Sequence, residues 1–479
     1  MLKLQTETQT NMPTTIKTGS ATITSFGAAE GVTGSKHLLQ IGNKKLLLDC
    51  GLFQGNRKLS RELNSHFPVA VLAADAVILS HAHIDHSGAL PSLVKAGFAN
   101  PIYSTAATRD LCEIMLEDAA YIQESDARFL AKKEFPAPQP IYTAEDAAEA
   151  MQLFITKDYN TWFEPVEGVK VRFIDAGHIL GSAQVEIEYQ ENGVTKHLGF
   201  TGDLGRKGLP ILRDPAQLTN LDVLITESTY ALREHEDLLT IEDELLEVIE
   251  KTAKRGGKII IPAFSVERTQ EIVYVLHQLR VKGRLKFDLP IYVDSPLAVN
   301  ATEVFKKHRA DYDSETYSDF IEKDEGPFTM NGLVYIRDAE KSKALNQLNY
   351  PMIIISASGM CEAGRILHHL RNNISDPKNT VLIVGFQAEN TLGRRLVDKL
   401  PEVKIFGIPV IRRCEVVVIN AFSGHAGASE LFNNVKNSGA KKVFCVHGEP
   451  TSTAGFVEKI ENELKIEAQV LHTGETTTI

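Results

Sequence analysis

The features this chain lacks narrow its function before any motif is read. No apolar run approaches the length of a bilayer span, so no membrane-spanning helix and no membrane partner is expected. Residues 1–17 are polar, rich in Thr and Gln, and lack the apolar centre of a secretory signal. They read as a flexible tail. Cysteine is scarce and odd in number: Cys50, Cys112, Cys361, Cys414 and Cys445 are scattered, with no CxxC pair. A disulfide framework is therefore not expected, and a reducing, cytoplasmic location is. An excess of basic charge is also missing. The net charge of −11 excludes a protein that coats nucleic acid through bulk charge, although a local basic groove stays compatible with it. Internal repeats and low-complexity tracts are absent as well.

The composition, 43% hydrophobic and 24% charged over 479 residues, is that of a globular protein of two or three domains. Strand-like and helix-like runs alternate. Ile23–Phe26, His37–Ile41 and Lys45–Asp49 are closely spaced strands that suggest an antiparallel start. A long helix is expected from Ala106 to Lys133, then strands at Val169–Asp175, Ala183–Tyr189 and Leu198–Asp203. From about Asp222 the pattern is regular β-α-β, with strands at Val223–Thr226, Lys258–Ile261, Ile291–Val293, Met352–Ser356 and Val381–Val384. Such a run implies a parallel sheet with helices on both faces. After Val403 the character shifts back, with a strand at Glu415–Ile419 and another at Val443–Val446. The order suggests one αβ domain with a second inserted into it.

The richest stretch is His81-Ala82-His83-Ile84-Asp85-His86, between the apolar strand Ala76–Ser80 and a loop turning into a helix. In an extended chain His81, His83 and Asp85 face one side, and His86 can swing to a second point. Three imidazoles and a carboxylate in six positions suit two adjacent metals; zinc is favoured, with manganese or iron also open. Further ligands are expected at strand ends. His178, Asp203 and His447 each end a strand-like run and each has a neighbouring glycine, which permits close backbone approach.

These features, in this order, resemble the metallo-β-lactamase superfamily and, within it, the β-CASP nucleases. The resemblance rests on Asp49 in Leu48-Asp49-Cys50-Gly51, the His81–His86 motif, His178 in Gly177-His178-Ile179-Leu180-Gly181-Ser182 and Asp203 in Thr201-Gly202-Asp203. It continues with Glu227 in Thr226-Glu227-Ser228-Thr229-Tyr230, His425 in Phe422-Ser423-Gly424-His425-Ala426, and His447 in Val446-His447-Gly448-Glu449. It runs from about Ile23 to the end. It implies an α/β protein: a metallo-β-lactamase αββα sandwich with an inserted parallel-sheet β-CASP domain. The expected divisions are 18–210 and 413–479 for the two parts of the sandwich and 211–412 for the insertion.

The resemblance also implies roles. His81, His83 and His178 would hold one zinc, Asp85, His86 and His447 a second, and Asp203 would bridge them. Asp49 would orient a histidine ligand. His425 would face the scissile phosphate, supported by Glu227, as a general acid. Two zincs about 3.5–4 Å apart can share a hydroxide and contact phosphate oxygens. A histidine at the last motif marks RNA-directed members, whereas the DNA-repair branch that includes Artemis tends to carry an apolar residue there. The expected function is thus a two-zinc ribonuclease acting on single-stranded RNA in processing or decay, with a homodimer possible.

Contacts to RNA are expected from Ser358, Arg365 and Arg394, on loops that follow parallel strands, and Arg268 and Gln270 lie on a similar stretch. Lys306-Lys307-His308-Arg309 reads as solvated surface. Only about thirty residues follow His447, so the further C-terminal domain expected of an RNase J is not anticipated. A small-molecule thioester hydrolase of the same superfamily is the alternative, and a non-catalytic RNA-binding scaffold a third. The insertion with Glu227 and His425 disfavours the former and the intact ligand set the latter.

Overall fold

A computed structural model describes residues 21–55, 57–131, 139–235, 240–321, 326–385 and 387–479. The expected tail at 1–17 lies outside the described residues. Two seven-stranded sheets form the first lobe. The first sheet runs, edge to edge, Thr476–Thr478, Thr22–Gly27, Lys36–Ile41, Lys44–Leu48, Ala76–Ile78, Ile102–Ser104 and Phe154–Thr156. The second runs Glu467–Val470, Lys442–Val446, Val223–Glu227, Val194–Phe200, Ala183–Glu191, Val169–Asp175 and Phe163–Val166.

Period-two alternation decides how they stack. Leu39, Leu46, Leu48 and Ile78 of the first sheet share one buried cluster with Phe173, Val185, Ile187, Phe200, Ile225 and Phe444 of the second. Residues one position along face outward. Leu38, Leu47 and Val77 pack against Leu90, Leu93 and Leu111 of covering helices. Leu224, Val443 and Cys445 pack against Leu431, Val435 and Phe456. This is the expected αββα sandwich. Its antiparallel start is the meander Thr22–Gly27, Lys36–Ile41, Lys44–Leu48.

The inserted lobe carries a six-stranded parallel sheet in the order Leu333–Tyr335, Ile291–Val293, Ile353–Ser356, Ile259–Pro262, Thr380–Ile383 and Glu415–Val418. Isoleucine- and valine-rich runs are what a sheet covered on both faces requires. Helix Arg268–Val281 covers one face and Ile366–Asn373 the other.

Strand pairing shifts the expected divisions at 211 and 413. Val223–Glu227 pairs in parallel with Val194–Phe200 and Lys442–Val446, so it belongs to the sandwich. Glu415–Val418 pairs with Thr380–Ile383, so it belongs to the inserted sheet. Both strands read as short apolar runs, and only the partner across the ladder tells which sheet takes them.

Candidate metal centre

The centre forms where strand ends of the sandwich meet. The chain leaves strand Ala76–Ile78 and curls into a short helix at Ile84–Ser87, with His83 at its N-cap. This corrects the extended reading of the motif. Asp85 does not share a side with His81 and His83, because the helical turn at Ile84 swings it and His86 toward a second point. Two donor sets result: His81, His83, His178 and Asp203 in one, Asp85, His86 and His447 in the other.

Asp203 joins them. Its Oδ2 lies 3.6 Å from both His81 Nε2 and His178 Nε2. Its Oδ1 lies 3.2 Å from His86 Nε2 and 3.3 Å from His447 Nδ1. Within the first set His83 Nδ1 is 3.1 Å from His81 Nε2 and 3.2 Å from His178 Nε2. Within the second, His86 Nε2 is 3.2 Å from His447 Nε2, which is 3.7 Å from Asp85 Oδ2. Donors around a tetrahedral ion at about 2.0–2.1 Å would lie roughly 3.3–3.4 Å apart, so these spacings fit cations. Asp203 Oδ1 is buried without a hydrogen-bond partner among the described residues, a cost that a cation would remove.

Partners on the far sides of the rings fix which nitrogen faces inward. His86 gives its Nδ1 proton to Asp49 Oδ2 at 2.7 Å, and His178 gives its own to the Gly424 carbonyl at 3.1 Å. Each leaves an Nε2 lone pair pointing at the centre. Asp49, fully buried, also accepts from Ser80 N at 2.8 Å, Ser80 Oγ at 3.0 Å and Ser35 Oγ at 3.3 Å. The loop after Asp49 is stitched to the ligand helix: Ser35 N donates to Asp85 O, Cys50 N to His86 O and Leu52 N to Ile84 O. Gly51 permits this approach, since a Cβ there would stand 1.6 Å from the Asp85 carbonyl oxygen.

Charge balance agrees. Burial, with the charge of His86, holds His81 well below the ordinary histidine range, and burial holds His83 down at about 4. His178 is lowered well below 6.5 by burial and by His425. All three are neutral, the form that ligates. His86 differs from these three: burial opposes its charge, but Asp203 and Asp49 outweigh it and raise its pKa well above 6.5, so a cation would have to displace its Nε2 proton. Burial likewise disfavours a charged Asp203, yet His447 and His86 hold its carboxyl well below the usual range.

Glu227 and His425 stand beside the ligands. Glu227 is fully buried at the end of its strand; Oε1 accepts from Leu204 N at 2.6 Å and lies 3.3 Å from His425 Nδ1. His425 Nδ1 is 3.9 Å from Asp203 Oδ2. Burial works against the imidazolium, but Glu227, Asp203 and Asp85 raise the His425 pKa to about 9.

The residues expected to meet RNA fare differently. Ser358 Oγ accepts from Glu362 N and Ala363 N at the carboxyl end of the inserted sheet. Arg394 lies in the first turn of helix Leu392–Val397, not in a strand-to-helix loop, and its Nε is 3.0 Å from Asp398. Arg365 is committed to Asp294 at 2.7 Å and to the Ile336 and Arg337 carbonyls. Gln270 is fully buried, bonded to Ser265 O, Ala298 O and Thr302 Oγ1, so it braces its helix. The Lys307 and His308 side chains are not merely solvated: both reach Asp110 of the sandwich, tying the lobes. Ser35, Ser80 and Thr229 were not anticipated. Ser80 and Thr229 adjoin named motif residues, and that adjacency was the available signal. Thr229 Oγ1 lies 3.1 Å from His447 Nδ1.

Three family models match the chain in succession. Residues 38–195 match the metallo-beta-lactamase superfamily domain, residues 269–396 the Beta-Casp domain, and residues 409–471 the Zn-dependent metallo-hydrolase RNA specificity domain. The chain is 38% identical over 429 residues to a protein named as a ribonuclease from Thermus thermophilus, covering 89% of this chain and 93% of that one. It is 29% identical over 463 residues to the transcription termination factor FttA of Methanocaldococcus jannaschii, covering 93% of this chain and 69% of that one. A crystal structure of a protein of unknown function from Enterococcus faecalis is similar in fold, with TM-score 0.54 at 13% identity, covering 96% of this chain and all of that one.

Proposed function

We infer what this protein does from the premise that it belongs to the β-CASP family of the metallo-β-lactamase superfamily. It is a metal-dependent ribonuclease. The observation that carries the mechanism is the division of Asp203, one oxygen toward each donor set. His81, His83 and His178 would hold one zinc ion, Asp85, His86 and His447 a second, and Asp203 both. Such ions supply Lewis acidity that activates water near neutral pH and neutralises phosphodiester charge.

The chain's own residues do the rest. Asp49 and the Gly424 carbonyl hold His86 and His178 in the ligating tautomer. Glu227 takes the Nδ1 side of His425, which leaves Nε2 to deliver a proton to the departing oxygen of the RNA. Ser358 and Arg394 would contact the single strand from the inserted lobe, while Arg365, locked to Asp294, would shape the loop that carries Ser358.

Among the described residues no helix is long and apolar enough to cross a membrane. All five cysteines are buried and unpaired, which supports a reducing cytoplasmic setting. A homodimer is a further part of this reading, and light scattering of the purified protein decides it.

The test is turnover of single-stranded RNA by metal-loaded protein, with His83→Ala and a thioester substrate in parallel. RNA cleavage abolished by His83→Ala, with no thioester turnover, is the expected result. Full RNA cleavage by metal-verified His83→Ala would overturn the mechanism.

A further inference from the structure

Phe264 is a large aromatic side chain left 45% exposed by a backbone that is held firmly in place. Its carbonyl accepts from Thr269 N at 3.2 Å and Thr269 Oγ1 at 2.7 Å. The next carbonyl, of Ser265, accepts from Gln270 Nε2 at 3.2 Å, and Ser265 Oγ lies 3.1 Å from Ser295 Oγ. The ring rests against Gly359, where a Cβ would meet three of its carbons at 2.9–3.1 Å. Gly359 is itself fixed by Gln387 Nε2, which donates to its carbonyl at 3.0 Å. A pinned ring lying on bare backbone presents the rest of its surface to solvent.

Its position is specific. Phe264 follows the carboxyl end of Ile259–Pro262, an interior strand, and Gly359 follows the carboxyl end of the neighbouring Ile353–Ser356. Ligands of parallel sheets bind in the crevice at these ends. The segment that follows Phe264 is tied to the loops that carry the metal centre. Three residues beyond Phe264, Glu267 Oε2 accepts from Leu180 N at 3.0 Å, two residues from His178. The next residue, Arg268, places its guanidinium 5.6 Å from the Phe422 ring centre, three residues from His425. A Cβ on Gly424 would meet both His178 Cε1 at 3.5 Å and Arg268 Nη2 at 3.7 Å, so the segment that carries Phe264 reaches the metal centre. On the other side Gly393 N donates to the Met360 carbonyl at 3.2 Å, which brings the Arg394 segment to the Gly359 loop. An open aromatic face is the surface on which a base of single-stranded nucleic acid stacks.

We propose that Phe264 is the stacking platform for one nucleobase of the RNA substrate, seated in the crevice between the loops 263–268 and 357–360. This subsite rests on the ribonuclease reading above. Stacking makes it tolerant of base identity but dependent on a base being present.

The test is anisotropy binding of fluorescein-labelled, phosphorothioate-linked single-stranded oligoribonucleotides to the metal-loaded full chain. A single abasic residue is moved through the oligonucleotide. Phe264→Ala is expected to weaken binding of the intact strand about tenfold, and Phe264→Trp to retain it. One abasic position should cost the wild type about tenfold and cost Phe264→Ala nothing further, since ring and base form one contact. Equal binding by wild type and Phe264→Ala, or an abasic penalty of the same size in both, would overturn the proposal. Because binding is read without cleavage, these outcomes stay separate from the ribonuclease reading. That reading fails instead if the wild type leaves an unmodified strand of the same sequence intact.

Discussion

Glu227→Gln is the most discriminating change at this centre. It keeps the shape of the side chain and the hydrogen bond that Oε1 accepts from Leu204 N, and removes the charge 3.3 Å from His425 Nδ1. Burial disfavours the His425 imidazolium; Glu227, Asp203 and Asp85 overcome it and bring the pKa to about 9. Cations on Asp203 and Asp85 would spend the charge of those two carboxylates, so in the loaded enzyme the pKa would lie below about 9, with Glu227 the group that keeps it raised. Without Glu227 the pKa should fall to the ordinary 6.5 or below. Because Glu227 raises the pKa in the wild type, the acid form is present at low pH and is lost as pH rises through that raised value, at most about 9. At pH 8 the protonated fraction would drop from at most roughly 0.9 to about 0.03, a loss of up to about thirtyfold in the competent acid. The assay is kcat for RNA cleavage between pH 6 and 10, with metal content verified at each point. The basic limb should move down by up to about two pH units, while activity near pH 6 falls far less. A uniform loss at every pH, or an unmoved basic limb, would refute the assignment of His425 as the acid that Glu227 sustains.

Other expectations concern the ions and their scaffold. His447→Ala should lower zinc, measured by mass spectrometry on dialysed protein, from two to about one per chain, because the His81 set does not use it; two retained ions would remove His447 from the ligand set. Asp49→Asn should weaken metal affinity about 10–100-fold in a competitive chelator titration, and an unchanged affinity would leave Asp49 without the orienting role. Chelation should lower the thermal midpoint, since ions at a hundredfold excess over their dissociation constant stabilise by about 2.7 kcal/mol per site; coincident melting curves would count against a built site. Gly51→Ala should destabilise by about 1–3 kcal/mol in urea unfolding, because its Cβ would overlap the Asp85 carbonyl oxygen. A midpoint equal to the wild type's would show that the loop yields freely.

The parts of this site that were readable in advance are those written locally. His81, His83 and His86 are adjacent in the chain, and His178, Asp203 and His447 end apolar runs whose periodicity announces a strand. The turn that separates Asp85 from His83 was not readable, because a four-residue helix at Ile84–Ser87 has no pattern of its own and is held by the Asp49 loop. Arg365 and Gln270 look like free polar groups until Asp294 and Thr302 are known to face them. Lys307 and His308 look solvated until Asp110, almost two hundred residues earlier, closes on them. The strands Val223–Glu227 and Glu415–Val418 changed sheets for the same reason: partner choice is a long-range property, and apolar runs carry no address.

The order in which the parts leave the ribosome has a consequence for the cell that makes this enzyme. His447 is the last of the seven candidate donors to be synthesised, and strand Thr476–Thr478 must still follow to pair with Thr22–Gly27, made long before it. A nascent chain therefore lacks both a complete candidate cage for a second cation and a finished first sheet until Thr478 has been made. A chain stopped short of His447 would lack one side of the cage on which cleavage would depend.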